Sequence, residues 1–452
     1  MSGTITAAAA SPRLATQAAN PPPVSVPRLG GFLLLAGQLA LLAAVMELFR
    51  VGQDRGPDMS IPYLCYTAFG LFAVHYWLPM RWKETFWVAA SIGAAFVWLD
   101  WRVAAGLLAA AAAFFAVIRS PLGYWWKTGL IVTSFAGVTY LTLHPVGTRN
   151  LFQAVLGITP PQALWVMFGS IFMCRMIVYM HDLKHMKEKP PLLGYLAYFF
   201  LLPNYIFPLM PVVDYNTMRL GYQRRDIHEV AQKGIHWMAR GVTQLIFYRI
   251  AFHLRDAVLA EGVHSAGSLV YYMLLTFLLY TRVSGQFHLT IGMLHLFGYD
   301  LPETNRKYML SSSFTDYWRR VNIYWKDFMV KVVYFPVFFR LRKSGQLRAK
   351  IVGTLAVFAV TWALHSYQFF WLRGSVLLHP VDTAFWCIFG VLVTANIWWE
   401  HRKELLGKRA PKPVWWKTAL STAGTMSVII TLWTLWEAPS FAAFLDLLAW
   451  WS

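Results

Sequence analysis

The chain repeatedly runs for 14 to 24 residues with mostly apolar side chains, and this pattern decides what it can fold into. Such runs lie at roughly 28–50, 61–79, 86–99, 103–118, 128–143, 164–180, 235–253, 267–282, 350–373, 383–399 and 417–436. In hydrocarbon each backbone N–H and C=O needs a partner within its own segment, so the runs are expected as helices. The expected fold is an all-α polytopic membrane protein with about eleven transmembrane helices. Charged residues make up only 13% of the chain, against about a quarter in an ordinary soluble domain. No separate soluble domain and no internal repeat is visible. Residues 1–27, rich in Ala, Ser, Thr and Pro, read as a disordered N-terminal tail, with 28–452 as a single transmembrane domain. No early cleavable signal pattern is visible.

The net charge of +19, from 40 Lys and Arg against 21 Asp and Glu, would suggest nucleic acid in a soluble protein. Here it fits loops facing the cytoplasm and anionic lipid, so membrane lipid is the expected partner and nucleic acid is not. Arg81 and Lys83 form one basic cluster, Lys184, Lys187 and Lys189 the next, then Arg219, Arg224 and Arg225. Arg340, Arg342, Lys343, Arg348 and Lys350 follow, and Arg402, Lys403, Lys408, Arg409, Lys412 and Lys417 close the series. Placing all of them inside gives an N-terminus inside and a C-terminus outside, provided two further apolar regions do not cross as simple spans. In 192–211 Pro203, Pro208 and Pro211 interrupt a regular helix, which predicts a re-entrant hairpin or a broken helix buried in protein. Region 285–339 is expected to return as re-entrant or interfacial helices. Cys65, Cys174 and Cys387 all fall in apolar runs without zinc spacing or a disulfide framework, and read as buried structural thiols.

Within this apolar background the stretch Ser313–Phe328 concentrates charges and aromatics. Ser313 stands three residues before Asp316, a helix-start pattern. One helix from there would carry Trp318, Asn322, Trp325 and Met329 on a single face, with Arg319, Arg320 and Lys326 on neighbouring faces. Asn322 could line a polar cavity, and the cations could meet donor phosphates. The same residues also suit an interfacial helix anchored at headgroups. Some forty residues on, His365 interrupts an apolar run. If that helix starts near Lys350, a rise of ~1.5 Å per residue places the imidazole ~22 Å along it, well inside the membrane. Ionisable groups there are costly and mark function. A neutral imidazole can take a proton from an alcohol and return it to a leaving group; alternatively it is satisfied by a neighbour in the bundle.

Other polar residues are weaker candidates. His181, Asp182, Lys184 and His185 fit a solvated cytoplasmic loop better than an access site. Asp214, Tyr215 and Asn216 either line a cavity or terminate a helix. Arg282 could face a cavity. His288 and His295, seven apart, could share a helix face, but a third ligand is not apparent, so packing is favoured over metal binding.

The arrangement resembles the membrane-bound O-acyltransferases (MBOAT), especially the bacterial branch that acylates alginate and teichoic acid. Its motif, S-F-x-D-(F/Y)-W-x-R-W-H-I-S, stands here as Ser313-Phe314-Thr315-Asp316-Tyr317-Trp318-Arg319-Arg320-Val321-Asn322-Ile323-Tyr324. His365 takes the place of the family's downstream histidine. The segment Tyr195–Tyr205 looks like its aromatic stretch, and Tyr179–Lys184 like its tyrosine–aspartate position. The resemblance covers roughly 165–375. Val321 and Asn322 replace the motif's Trp and His; asparagine here is similar to the lipid-acylating branches. The glycine-rich surroundings of the family histidine are weak here, where Ala363 and Leu364 precede it.

The resemblance implies a bacterial inner-membrane O-acyltransferase. It would move an acyl group, acetyl included, from a cytoplasmic thioester (acyl-CoA or acyl carrier protein) to a hydroxyl of a surface polysaccharide, glycan or lipid. His365 would be the general base and Asn322 the orienting group, with Asp316, Trp318, Arg319, Arg320, Trp325 and Lys326 holding substrate. No metal or bound cofactor is implied, and a periplasmic or extracellular partner that completes transfer is allowed. A secondary transporter of a lipid or anionic metabolite, or a non-catalytic scaffold of a surface-polymer assembly, would draw on the same residues.

Overall fold

The computed structural model describes residues 27–52, 61–98, 101–143, 153–154, 157, 172–186, 189–202, 204, 213–373, 379–406 and 414–449. These residues form helices and no strand; the nearest approach to a sheet is one antiparallel bridge, Tyr222–Tyr299. In chain order the helices are α1 (Leu29–Leu48), α2 (Ile61–Trp77), α3 (Met80–Trp98), α4 (Trp101–Arg119), α5 (Tyr124–Leu143) and α6 (Met173–His185). Next come α7 (Leu192–Phe200), α8 (Tyr215–Gly221), α9 (Ile227–Glu261), α10 (Ala266–Leu278), α11 (Thr281–Leu296) and α12 (Phe314–Arg320). Last are α13 (Ile323–Met329), α14 (Phe335–Leu341), α15 (Gln346–Arg373), α16 (Pro380–Leu405), α17 (Trp415–Glu437) and α18 (Phe441–Leu448).

The chain is therefore all-α and membrane-like. Six segments among the described residues are long and apolar enough to cross a membrane: Leu29–Leu48, Trp101–Arg119, Ala266–Leu296, Gln346–Gln368, Pro380–Leu405 and Trp415–Glu437. The expected spans at 61–79, 86–99, 128–143 and 235–253 are helical too, as α2, α3, α5 and α9, but lie outside those six. In α2 the helix has 17 residues, and α9 carries Arg240 and Arg249 within the expected span. The expected span at 164–180 lies partly outside the described residues, as do the tail 1–26 and Pro203, Pro208 and Pro211.

The described residues divide into two compact units. One comprises Met1–Val242 and Gln286–Pro302, the other Thr243–Gly285 and Glu303–Ser452. In the first, α7 is a nine-residue helix whose Tyr195, Ala197 and Tyr198 are fully buried. It ends at Leu201, which is extended. The Tyr198 carbonyl, left unpaired by that ending, accepts from Arg175 Nη1 at 2.9 Å and Asn204 Nδ2 at 3.2 Å. Asn204 also donates to the Phe199 carbonyl at 3.0 Å, and Leu202 N–H donates to Ser91 Oγ at 3.1 Å. The backbone groups freed where α7 ends are thus met by protein.

In the second unit the region after α11 is built of short helices followed by one longer rod. The chain is continuously helical from Ile323 to Leu341, passing through a π-helical turn at Val330–Tyr334 between α13 and α14. Nineteen residues at ~1.5 Å each make a rod of ~28 Å. It runs antiparallel to α15. Trp325 at its start meets Thr361 and His365, while Tyr334 lies against Gly353. A Cβ at Gly353 would stand 3.0 Å from the Tyr334 ring, so glycine is what lets the rod lie close. The π turn has a rare geometry that recurs at functional sites. Gly345, at φ +125, makes the turn between rod and α15, a conformation that L side chains avoid.

Candidate functional site

Ser313 caps α12 as the sequence predicts. Its side chain accepts from Asp316 N–H at 3.1 Å, and Asp316 returns an oxygen to Ser312 N–H at 3.2 Å. Such a cap is worth about 1 kcal/mol. Asn396 of α16 accepts from Phe314 N–H at 2.9 Å, so another orphan donor of the helix start is met from a candidate membrane span.

The single helix expected through 313–328 is not what forms. After Arg320 the chain leaves helical geometry, and Asn322 takes the left-handed conformation at φ 40. Asparagine tolerates that region because its short amide can bond locally. Its Oδ1 accepts from Trp325 N–H at 3.4 Å and so starts α13. The kink is held from outside by the segment 304–306. Asn322 N–H donates to Asn305 Oδ1 at 2.8 Å, Ile323 N–H to the Thr304 carbonyl at 2.8 Å, and Arg306 N–H to the Arg320 carbonyl at 2.9 Å. Asn305 is fully buried, and its Oδ1 also accepts from Tyr280 Oη at 3.1 Å. Trp318, Asn322, Trp325 and Met329 therefore do not share one continuous helix face.

The break sorts the expected substrate-binding residues. Trp318 packs on Phe358, with ring centroids 4.8 Å apart, and belongs to an aromatic cluster with Tyr317, Phe385 and Phe389. Asp316 pairs with Arg320 at 2.8 Å, an i,i+4 contact worth about 0.3–0.5 kcal/mol. Lys326 pairs with its neighbour Asp327 at 2.6 Å, and Arg319 is exposed. Of the set, Trp325 reaches His365.

His365 is half-buried on α15. Its Nδ1 lies 2.9 Å from the Thr361 carbonyl oxygen. A carbonyl only accepts, so Nδ1 carries the proton and Nε2 presents a lone pair. The ring stands between two indoles, edge-on to Trp325 at 4.9 Å and tilted against Trp386 at 4.8 Å. Thr361, fully buried, couples these parts. Its carbonyl fixes the imidazole while its Oγ1 accepts from Trp325 Nε1 at 3.3 Å. Asn322 and His365 are thus joined through Trp325, whose backbone meets one and whose ring meets the other. Chemically, this is an oriented neutral base walled by aromatics, with an amide held two contacts away. Thr361, Trp386, Asn305 and Asn396 were not singled out from the sequence. Only Thr361, four residues before His365, was within reach of helical spacing.

The weaker candidates resolve differently. Asp182 is not in a solvated loop. It is buried in α6 and accepts from Asn216 N–H at 3.3 Å, while Lys184 lies over the Tyr124 and Trp125 rings. His181 and His185, also on α6, lie tilted against each other with ring centroids 4.9 Å apart. Asp214 starts α8, accepting from Thr217 N–H at 3.0 Å and Thr217 Oγ1 at 2.7 Å. Arg282 donates to Tyr248 Oη at 3.3 Å. His288 and His295 do share a face of α11 and both stack on Trp237. Of the cysteines Cys65 is buried, Cys174 is partly buried, and Cys387 is exposed on α16, so an apolar run did not guarantee burial inside the protein.

A charged cluster that the sequence did not announce surrounds Asp300 in the first unit. Its carboxylate pairs with Lys233, with Arg225 Nε at 3.2 Å, and with His295 Nε2 at 3.6 Å. Burial pushes the Asp300 carboxyl up, but the contacts from His295 and Lys233 outweigh it and hold the group well below the usual carboxylate range. No protein-family model and no curated protein matches this chain.

Proposed function

We propose that this protein is a membrane-embedded O-acyltransferase of the MBOAT type. It transfers an acyl group from a cytoplasmic thioester to a hydroxyl of a surface glycan, polysaccharide or lipid. The observation that carries the reading is the imidazole of His365: Nδ1 is committed to the Thr361 carbonyl and the ring is held between Trp325 and Trp386. In this reading Nε2 takes the proton of the acceptor hydroxyl as its oxygen attacks the thioester carbonyl. The tetrahedral intermediate collapses with cleavage of the C–S bond, and the departing thiolate takes the proton back from the imidazolium. The capping role of Asn322 occupies its Oδ1, which leaves the Nδ2 hydrogens to stabilise the oxyanion or orient the acceptor. The motif at Ser313–Tyr324 and the later His365 support the family; α2, α3, α5, α6 and α9 complete the eleven spans, in a bacterial inner membrane.

The test is acyl transfer in membranes with a labelled donor. His365→Ala is expected to lose activity by about 10²–10⁴-fold, the usual worth of a general base. Full activity in a normally expressed His365→Ala protein sinks the proposal. Mass spectrometry of lipids and surface glycans with and without the active protein then identifies acceptor and acyl chain.

A further inference from the structure

The antiparallel pair α16 and α17 is registered at one end by stacking. Phe385 lies flat on Trp436, with centroids 4.5 Å apart and planes at 12°, and Asp382 accepts from the Trp436 indole N–H. Counting from that contact, Arg402 and Lys403 lie 17 and 18 residues along α16, and Lys417 lies 19 residues back along α17. At ~1.5 Å per residue all three cations fall ~26–29 Å away, about one hydrocarbon thickness from the stacked pair.

At that level the side chains follow one scheme. The Arg402 guanidinium sits 5.4 Å over the Trp398 ring, the Lys403 ammonium 5.3 Å over Trp399, and the Lys417 ammonium 5.4 Å over Trp416. The indoles are not packed away: Trp398 is 43% exposed, Trp399 and Trp416 are 51%, and the adjacent Trp415 is 81%. Among the described residues none of the three cations pairs with a carboxylate. Of the two acids on this stretch, Glu404 lies 3.8 Å from His401 and Glu400 stands beside Trp399 in sequence. The sequence joining the helices, 405–414, adds Lys408, Arg409 and Lys412 and no acid.

Exposed indoles at a helix end belong at the headgroup layer, where the ring is half apolar and half wet. A cation held over an indole keeps its remaining N–H donors for an oxygen ligand. We infer that this end of the α16–α17 pair is a binding surface for anionic phospholipid, with Arg402, Lys403 and Lys417 receiving the phosphate-bearing headgroup and Trp398, Trp399, Trp415 and Trp416 flanking its acyl-chain boundary.

Native mass spectrometry of the full chain in detergent tests it, titrating in phosphatidylglycerol or phosphatidylcholine with identical tails. Each cation near an anionic surface is worth about fivefold, so the native chain should retain phosphatidylglycerol on the order of tenfold or more over phosphatidylcholine. The triple variant R402Q/K403Q/K417Q should fall close to parity. A control, R81Q/R102Q, removes two other cations that sit over exposed indoles, those of Trp82 and Trp101, and should keep the preference. Equal retention by the native chain overturns the inference, as does a triple variant that keeps its preference or a control that loses as much. Should the triple variant fail to fold, K417Q alone must still lower the preference several-fold.

Discussion

His365 and His295 each donate Nδ1–H to the carbonyl four residues back, Thr361 at 2.9 Å and Ile291 at 2.7 Å. Both rings lie against tryptophan, Trp325 and Trp386 for one and Trp237 for the other. They differ at Nε2. That of His295 faces the Asp300 carboxylate at 3.6 Å, within a cluster that already holds Lys233 and Arg225. Among the described residues no carboxylate pairs with His365, and its ring lies against Trp325 and Trp386. The same backbone device therefore yields two kinds of histidine. One faces an internal charge cluster, and the other faces aromatic rings. Residue type and spacing do not separate them; the second nitrogen does.

The comparison breaks if both histidines respond alike. Replacing His365 by Gln keeps a polar side chain of related size but removes the base, and is expected to lower labelled acyl transfer by about 10²–10⁴-fold. His295→Gln is expected to leave the rate within about twofold and to lower the melting temperature, since it touches only internal partners. Comparable losses of rate from the two variants, at equal expression, would remove the distinction.

Asn322 offers a smaller effect that separates backbone from chemistry. Its left-handed geometry costs an ordinary L residue about 1–2 kcal/mol, and glycine escapes most of that cost. Asn322→Gly should therefore be more stable than Asn322→Ala by about 1 kcal/mol, read as thermal melting in detergent. If the Nδ2 hydrogens serve the reaction, both variants lose transfer to a similar degree despite the stability gap. Recovery of full activity in Asn322→Gly would confine Asn322 to shaping the kink.

What the sequence made legible follows from interaction range. Apolar runs imply helices because the backbone rule of the membrane is local to each segment. The Ser313–Asp316 cap is a three-residue signal, and His365 stands out because titratable groups are scarce in such runs. The break at Val321–Asn322 is less visible. It depends on Asn305, 17 residues before Asn322, and on Tyr280, 25 residues before Asn305, holding a backbone turn that helical spacing alone would run straight through. Trp318 and Trp325 look equivalent by spacing, yet the kink sends one into an aromatic core and the other to His365. Asp182 reads as a loop residue by composition and is buried because Asn216, 34 positions on, meets it.

The Asp300 cluster gives the smallest and most pH-specific prediction. Its carboxyl is held below the usual range in the folded chain, while an unfolded aspartate titrates near ~3.9. The folded form therefore binds the proton less readily, and the cluster's stabilisation is present above that unfolded value and is lost as pH falls through the folded one. Lys233 and Arg225 remain partly exposed, at 35% and 46% of their side-chain surface, so without Asp300 they can turn to water. Asp300→Asn should accordingly cost about 1–3 kcal/mol at neutral pH rather than the larger penalty of two stranded buried charges. Melting temperatures at pH 6 and pH 3 decide it. The native protein should lose more stability on acidification than Asp300→Asn, because the variant has already given up the pH-dependent part. Parallel losses would assign the acid sensitivity to other carboxylates, and would leave His295 facing a group that contributes nothing beyond its shape.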